Sequence, residues 1–336
     1  MRASENDASQ PVADLLIHET RTQPWDPERT ALLLPKPDPE PRRRHLVARR
    51  VANTFKTLIA ILVITELVAV SFIWFTPPRT SFMLQNQSGP IAYQFVSLDH
   101  ISRYMIAATI AHEDEDLGSR AGAFNFTEFK ARAVAHIDGG EDPSGSTIPQ
   151  QLVKNIFLWP GQSGFRKGLE AVLATQYSLT LSDQRIMELY LNYAQFGPRL
   201  YGICAASWYY FGTPPYFMNE YQAAQLMGVL PLPSRVERAP GGGILLDSRA
   251  HPGAWNLVNG AANVHVPRQI AGMGGWKSAV GTIGISDSAS DYADERLPGA
   301  SAHNVACTSY PEDVVDLLRE QGVEFDSQSM KITKDL

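Results

Sequence analysis

The chain has 336 residues, is 44% hydrophobic and carries a formal charge of −6, enough for one medium domain with appendages and no support for nucleic-acid binding. Its two cysteines, Cys204 and Cys307, exclude a disulfide framework and leave no plausible zinc site. Cys204 lies in an apolar helical pattern, which favours two unpaired thiols over a bridge.

Residues 1–56 are rich in proline and charge and lack periodicity, which predicts a disordered tail with a basic end. Residues 57–75 read TLIAILVITELVAVSFIWF, a helix of about 28 Å, long enough to cross a hydrocarbon core. Before it stand Arg42, Arg43, Arg44, Arg49, Arg50 and Lys56 without an acid; after it comes only Arg79 before Asp99. The positive-inside rule therefore places the N-terminus in the cytoplasm and everything after about residue 77 outside. Glu66 falls mid-span, where a carboxylate costs roughly 3 kcal/mol. It either meets a partner transmembrane helix or is a tolerated polar residue.

From about residue 98 the pattern turns helical. Ile101, Met105, Ala108 and His112 recur at helical spacing, and Thr127 suits the N-cap of a helix carrying Phe129, Ala131, Val134 and Ile137 up to Gly139. Ser146 or Thr147 suits the cap of the next helix, with Pro149 in its first turn. Further helices are predicted over 166–179, 183–193 and 220–230, the last stopped by Pro231 and Pro233. Beyond Gly241-Gly242-Gly243 the pattern weakens, apart from a short helix over 312–321 before Gly322.

Three stretches carry chemistry. Glu113 ends an apolar helix and is followed by Asp114, Glu115 and Asp116. Neighbouring acids and an apolar wall raise a carboxyl pKa, the condition for a general base near neutral pH, although a solvated acidic loop would read alike. Residues 145–155 place free N–H groups, hydroxyls, two glutamine amides and Lys154 at a helix start, an anion site or an ordinary capped helix. Arg166 and Glu170 share a helix face with Lys167 beside them, either a routine salt bridge or a pair of cations aimed at a pyrophosphate.

The order and spacing of these pieces resemble the family 51 glycosyltransferases, the peptidoglycan glycosyltransferases that polymerise lipid II, in their monofunctional membrane-anchored branch. Glu113-Asp114 through Gly122 matches Glu-Asp-x-x-Phe-x-x-His-x-Gly, Gly145 through Asn155 matches the Ser-Thr-Ile…Gln-Gln-x-x-Lys-Asn motif, and Arg166-Lys167…Glu170 matches Arg-Lys-x-x-Glu. Glu188 to Asn192, Phe196-Gly197, Tyr201 to Ile203, Tyr210 to Gly212 and Ala223 to Ser234 match the later motifs. The resemblance covers roughly 77–238. Departures fall at Leu117 for Phe, Arg120 for His, Ser144 for Gly, Pro149 for Thr or Ser, and Gln222 for Glu. Arg120 is expected to place a permanent charge beside Glu113.

The resemblance implies a mainly α, lysozyme-like domain with a small membrane-proximal lobe, preceded by one transmembrane helix. The expected organisation is a tail over 1–56, a span over 57–75, the glycosyltransferase domain over 77–240 and an extension of unknown role over 241–336. It implies an inverting hexosyl transfer in a bacterial inner membrane, with the catalytic domain periplasmic. Glu113 would take the proton of the acceptor 4-hydroxyl. Lys154, Arg166, Lys167 and Glu170 would hold the polyprenyl pyrophosphate of the donor, Glu170 either steadying Arg166 or binding a magnesium ion. Asp114, Ser146, Thr147, Gln150, Gln151 and Asn155 would complete the substrate site. Phe157, Leu158 and Trp159 either guide the lipid or belong to the core. Other wall-synthesis membrane proteins are expected partners. No Ser-x-x-Lys and no Lys-Thr-Gly occurs, so transpeptidation has no support. A glycan-cleaving enzyme would share Glu113 but has no use for the cations, and a catalytically decayed scaffold would share the departures.

Overall fold

The computed structural model describes residues 41–124, 145–159, 161, 163–249, 251–286, 306–326 and 331–335. The expected helix after Thr127 lies outside them. The chain divides into two units, Met1–Ile61 and Leu62–Leu336.

In the first unit, helix α1 (Pro41–Ser71) begins. It starts inside the expected tail, and it stops short of the expected Phe75. Proline suits a first helical turn, and the arginines, alanines and leucine that follow are good helix formers. At the far end Phe72 is drawn into the core, 4% exposed, and the chain turns there. The stretch His45–Ser71 is long and apolar enough to cross a membrane.

The second unit, which takes in the end of α1, is mainly α, as expected for a lysozyme-like domain. In chain order it contains α2 (Ser81–Leu84), β1 (Ala92–Tyr93), α3 (Arg103–Glu113), α4 (Ile148–Phe157), α5 (Gly164–Thr180) and α6 (Asp183–Tyr193). There follow β2 (Gln195–Gly197), β3 (Leu200–Tyr201), α7 (Ile203–Ala206) with a π-turn to Phe211, α8 (Glu220–Val229), α9 (Pro252–Gly260), α10 (Val266–Gly272) and α11 (Trp276–Gly281). The end holds α12 (Glu312–Glu320), as the sequence predicts, and the hairpin of β4 (Glu324–Phe325) and β5 (Ile332–Lys334). The small sheet has the order β1-β3-β2, β1 parallel and β2 antiparallel to β3.

Helix α3 is the axis of the core. Met105 through Ala111 are all buried, because α8, α10 and α11 pack against it. Helix α4 lies between α5 and α6. Described residues after 241 join this packing: Val258, Ala261, Val266, Val280 and Ile283 are buried in the same core. Two glycines make this packing possible. A Cβ on Gly228 of α8 would stand 2.4 Å from Val258 Cα, and one on Gly118 would stand 2.0 Å from the Thr282 carbonyl oxygen. The loop after Glu113 is thus pressed against the end of α11.

The cysteines correct the expectation of free thiols. Cys204 and Cys307 form a disulfide across a sequence separation of 103. Both are buried. Trp208 stacks near Tyr310 and its Nε1–H donates to the Cys307 carbonyl, which brings the segment before α12 onto α7.

Glu66 also finds its partner inside the unit. Its Oε1 accepts a hydrogen bond from Thr180 Oγ1 at 2.6 Å, and Gln176 Nε2 donates to the Leu62 carbonyl one turn earlier. The last turns of α1 are fastened to the C-terminal end of α5, which answers the choice between a partner helix and a tolerated polar residue with a contact from the protein's own domain.

Candidate active site

Two carboxylates, one at the end of α3 and one in α5, flank helix α4. Glu113 is half-buried. Its Oε2 accepts from Gln151 Nε2 at 2.8 Å and from the Tyr190 hydroxyl at 3.4 Å. Gln151 also donates to the Ser146 carbonyl and accepts from Tyr190 at 3.1 Å, so the amide is fixed by three contacts. Tyr190 is fully buried, and burial together with the Glu113 charge pushes its hydroxyl far above the usual phenol range. It remains a neutral donor.

The acids after Glu113 do not form a cluster with it, contrary to the sequence reading. Asp114 is buried and turns away: it takes a bidentate pair from Arg120 at 2.6 and 2.9 Å and accepts the Ile148 N–H at 3.0 Å. Glu115 is exposed. Arg120 therefore neutralises Asp114 rather than standing as a loose charge beside Glu113.

The start of α4 is built by Thr147 and Gln150, both buried. The Thr147 N–H donates to Gln150 Oε1 at 3.1 Å, and its hydroxyl donates to the Ala123 carbonyl. A side chain that closes a capping box is engaged in shaping the helix start. Of the residues expected at the substrate, Asp114, Thr147, Gln150 and Gln151 point their polar atoms into the protein. Ser146, Lys154 and Asn155 are half-buried.

At the other end Glu170 is fully buried. Lys167 Nζ lies 2.7 Å from its Oε1 and Arg166 3.5 Å from its Oε2. Arg166 is buried as well, with its N–H capped by Ser163 Oγ and its side-chain Nε without a partner among the described residues. A buried guanidinium N–H with nothing to bond calls for an anion. Lys154 reaches this cluster from α4. Burial holds its ammonium below the usual lysine range; Glu170 opposes the shift, Lys167 and Arg166 add to it, and Glu113 opposes it as well. Lys154 thus feels both carboxylates.

The donor set does not fit a magnesium ion held by the protein. Such an ion takes carboxylate oxygens, and both oxygens of Glu170 are engaged by cations. The other expected role, steadying Arg166, is the one the geometry contains.

The motif around Glu188 proves to brace the site from behind. Glu188 Oε1 accepts the Leu98 N–H, and Asn192 Oδ1 accepts the Val96 N–H while its amide donates to the Val96 carbonyl. Their i, i+4 spacing was the available signal for a shared partner. Tyr190 carried no signal beyond its place in an apolar helix. Of the three apolar residues at the end of α4, Phe157 packs with Phe72 and Tyr177, Leu158 is buried and Trp159 is exposed.

The model of the Transglycosylase family matches residues 83–244. A biosynthetic peptidoglycan transglycosylase of Marinomonas sp. (strain MWYL1) is 43% identical over 169 residues, 49% of this chain and 74% of that one. The protein of the same name from Pasteurella multocida (strain Pm70) is 36% identical over 194 residues, 55% of this chain and 77% of that one. One from Pseudomonas putida is 38% identical over 194 residues, 55% and 80% of the two chains.

Proposed function

This chain belongs to the biosynthetic peptidoglycan transglycosylase family, and from that membership we propose how its residues polymerise lipid II. It is a peptidoglycan glycosyltransferase. The growing glycan on polyprenyl pyrophosphate is the donor and lipid II the acceptor. Glu113 takes the proton of the acceptor 4-hydroxyl as that oxygen attacks the donor's anomeric carbon. The bond from that carbon to the pyrophosphate breaks, the electron pair leaves with the pyrophosphate, and the α-linked donor becomes a β-1,4 link. One base and no acid suffice, because a pyrophosphate surrounded by cations departs without protonation. Lys154, Arg166 and Lys167 are those cations. Glu170 orients two of them.

The observation that carries this reading is the contrast between the two carboxylates: Glu113 held by neutral donors, Glu170 buried among cations. A glycan-cleaving enzyme has no leaving pyrophosphate and no reason to keep such a cluster.

A catalytic domain outside the cytoplasm is supported by the basic residues before the span and by the Cys204–Cys307 bridge, since disulfides persist in oxidising compartments. A lipid-borne substrate is supported by Phe165, Val172 and Leu179, exposed apolar residues seven apart on α5, with Trp159 exposed just before that helix. The opposite side of the same helix carries Arg166 and Glu170. A helix with one side in the headgroup region and the other at the site would receive a pyrophosphate at the level where the polyprenyl chain leaves it.

The test is polymerisation of fluorescent lipid II by the detergent-purified full chain. Long glycan strands are expected, and none from Glu113→Gln. Release of sugar fragments from purified cell wall, with no strand synthesis, would overturn the assignment.

A further inference from the structure

We propose that Arg120 is a positioning residue for the base, acting through Asp114; the proposal rests on the transferase reading of Glu113. Adjacent residues Glu113 and Asp114 are both tied to the first turns of α4. Glu113 meets the Gln151 side chain and Asp114 the Ile148 N–H. The orientation of the base therefore depends on how α3 ends against α4, and Asp114 is the joint.

That joint is charged and buried. The side chains of Arg120 and Asp114 are 7% and 4% exposed. The guanidinium meets both carboxylate oxygens and donates from Nε to the Gly122 carbonyl at 3.0 Å. It closes the loop of residues 114–122 on itself, and the next residue, Ala123, accepts the Thr147 hydroxyl at 2.9 Å. Gly122 allows the closure with a φ of +89°. On its other side the loop is pressed at Gly118 against the Thr282 carbonyl, so it has no room to relax.

A second carboxylate lies in the field of the pair. Asp183, in the first turn of α6, is pushed up chiefly by burial, with Arg120 pulling it down and Asp114 pushing it up. Arg120 is thus the cation whose charge is felt by Asp114 at α3's end and by Asp183 of α6. Without it, two carboxylates would share a site with no cation, and Asp114 would leave the α4 N-terminus or take up a proton. Either change would tilt α3's end and separate Glu113 from Gln151. The residue occupies the place where the family motif has histidine, whose charge is lost near neutral pH. Arginine keeps its charge at every working pH.

This makes the role separable from mere stability. Strand synthesis by the full-length protein would be measured for wild type, Arg120→His, Arg120→Lys and Arg120→Met, from about pH 5.5 to about pH 8.5, bracketing the free histidine pKa. Thermal unfolding would be followed in the same buffers. Arg120→Met is expected to lower kcat about 10- to 100-fold with KM within about twofold, the usual size for a displaced reacting group. Arg120→Lys is expected to recover only part, because an ammonium cannot bridge both oxygens. For Arg120→His, the ratio of its kcat to wild type is expected to be near one at the acid end and to fall as pH rises above about 6.5, since the imidazolium is stabilised by Asp114 and then lost. Taking the ratio removes any limb that both proteins share. Should Arg120→Met not fold, the two ends of the Arg120→His profile decide the matter within one folded protein. A ratio flat with pH, with unfolding temperature alone changed, would overturn the positioning role and leave the transferase intact. A folded wild type that makes no strands would overturn both.

Discussion

The two carboxylates of the site are held by opposite means. Glu113 is half-buried and oriented by an amide and a phenol, donors that carry no charge. Glu170 is fully buried and contacts two cations, with a third, Lys154, in its field. The difference fits what the proposed mechanism asks of each. A general base needs a lone pair that is aimed but not neutralised, and neutral hydrogen bonds aim without a counter-charge. An anion site needs cations that stay apart from one another without collapsing on a surface acid. One buried carboxylate among three cations leaves a net positive charge for a pyrophosphate. On the proposed mechanism Lys154, in the field of both carboxylates, would meet the departing charge as the base gains its proton.

The comparison breaks first at Glu113. Glu113→Gln keeps an oxygen for the Gln151 amide but removes the base, so strand synthesis should fall at least about 1,000-fold, within the range for a general base. The unfolding temperature should stay near wild type, because no buried ion is left unpaired. A variant that keeps a tenth of the wild-type rate would show that the proton goes elsewhere.

Glu170→Gln should behave the other way round. Removing the acid leaves Arg166 buried beside a neutral amide, which costs about 3–5 kcal/mol where one partner of a buried pair is lost. Turnover should drop about 10- to 100-fold, the size of a lost electrostatic contact, and the unfolding transition should move down with it. A stable Glu170→Gln protein with the full loss of activity would mean that Glu170 touches the reacting atoms rather than the cations.

These contrasts mark what the sequence could and could not tell. Helical spacing related only Arg166 and Glu170 to one another; Glu113, Lys154 and Lys167 joined them through the order of motifs that resembles a known family, because three separate helices carry these residues. The direction of the neighbouring polar atoms was not legible. Asp114, Thr147, Gln150 and Gln151 looked equally suited to a ligand, yet Asp114 and Gln150 accept N–H groups at the start of α4, as a helix start requires whether or not a substrate is near, Thr147 donates to the Ala123 carbonyl, and Gln151 orients Glu113. Arg120 was expected beside Glu113 and pairs instead with Asp114, a choice made by loop closure over six residues that residue type does not encode. The segment after 241 gave little pattern because its helices are short and bury small residues: Ala254 in α9, Ala261 and Ala262 in the π-turn that joins α9 to α10, and Ala279 in α11. The Cys204–Cys307 bridge joins residues 103 positions apart, beyond anything local periodicity reports.

Lys154 offers a smaller effect with a defined sign. Its folded pKa lies below the usual lysine value of 10.5, chiefly through burial. The charged form, needed for the pyrophosphate, is complete below the folded pKa and disappears as pH rises through it. The alkaline limb of kcat/KM should therefore come earlier than for a free lysine, and Lys154→Arg should move it outward, because the guanidinium stays charged. Stability runs in the opposite sense: the unfolded chain holds this proton more tightly, so the lysine's cost to the fold is relieved as pH rises through the window between folded and unfolded values. A pH titration of activity and one of thermal unfolding should thus move in opposite directions for this group, and an unchanged alkaline limb in Lys154→Arg would assign it to another residue.

The disulfide should have the least effect on chemistry and a clear effect on the fold. It ties α7 to the segment before α12, and neither cysteine contacts Glu113, Glu170 or the cations. For a loop of this length the chain-entropy account gives about 4.7 kcal/mol of stabilisation, and typical measured values are about 2–4 kcal/mol. Replacing both cysteines by serine should lower the unfolding free energy by that amount while strand synthesis at low temperature stays within about twofold, since the core of α3, α4 and α5 does not depend on it. Chain made in a reducing cytoplasm should show the same loss without any substitution. If activity fell with the bridge as steeply as with Glu170→Gln, the α12 segment would have to support the site itself, and the division between a chemical end and a stapled end of this domain would no longer hold.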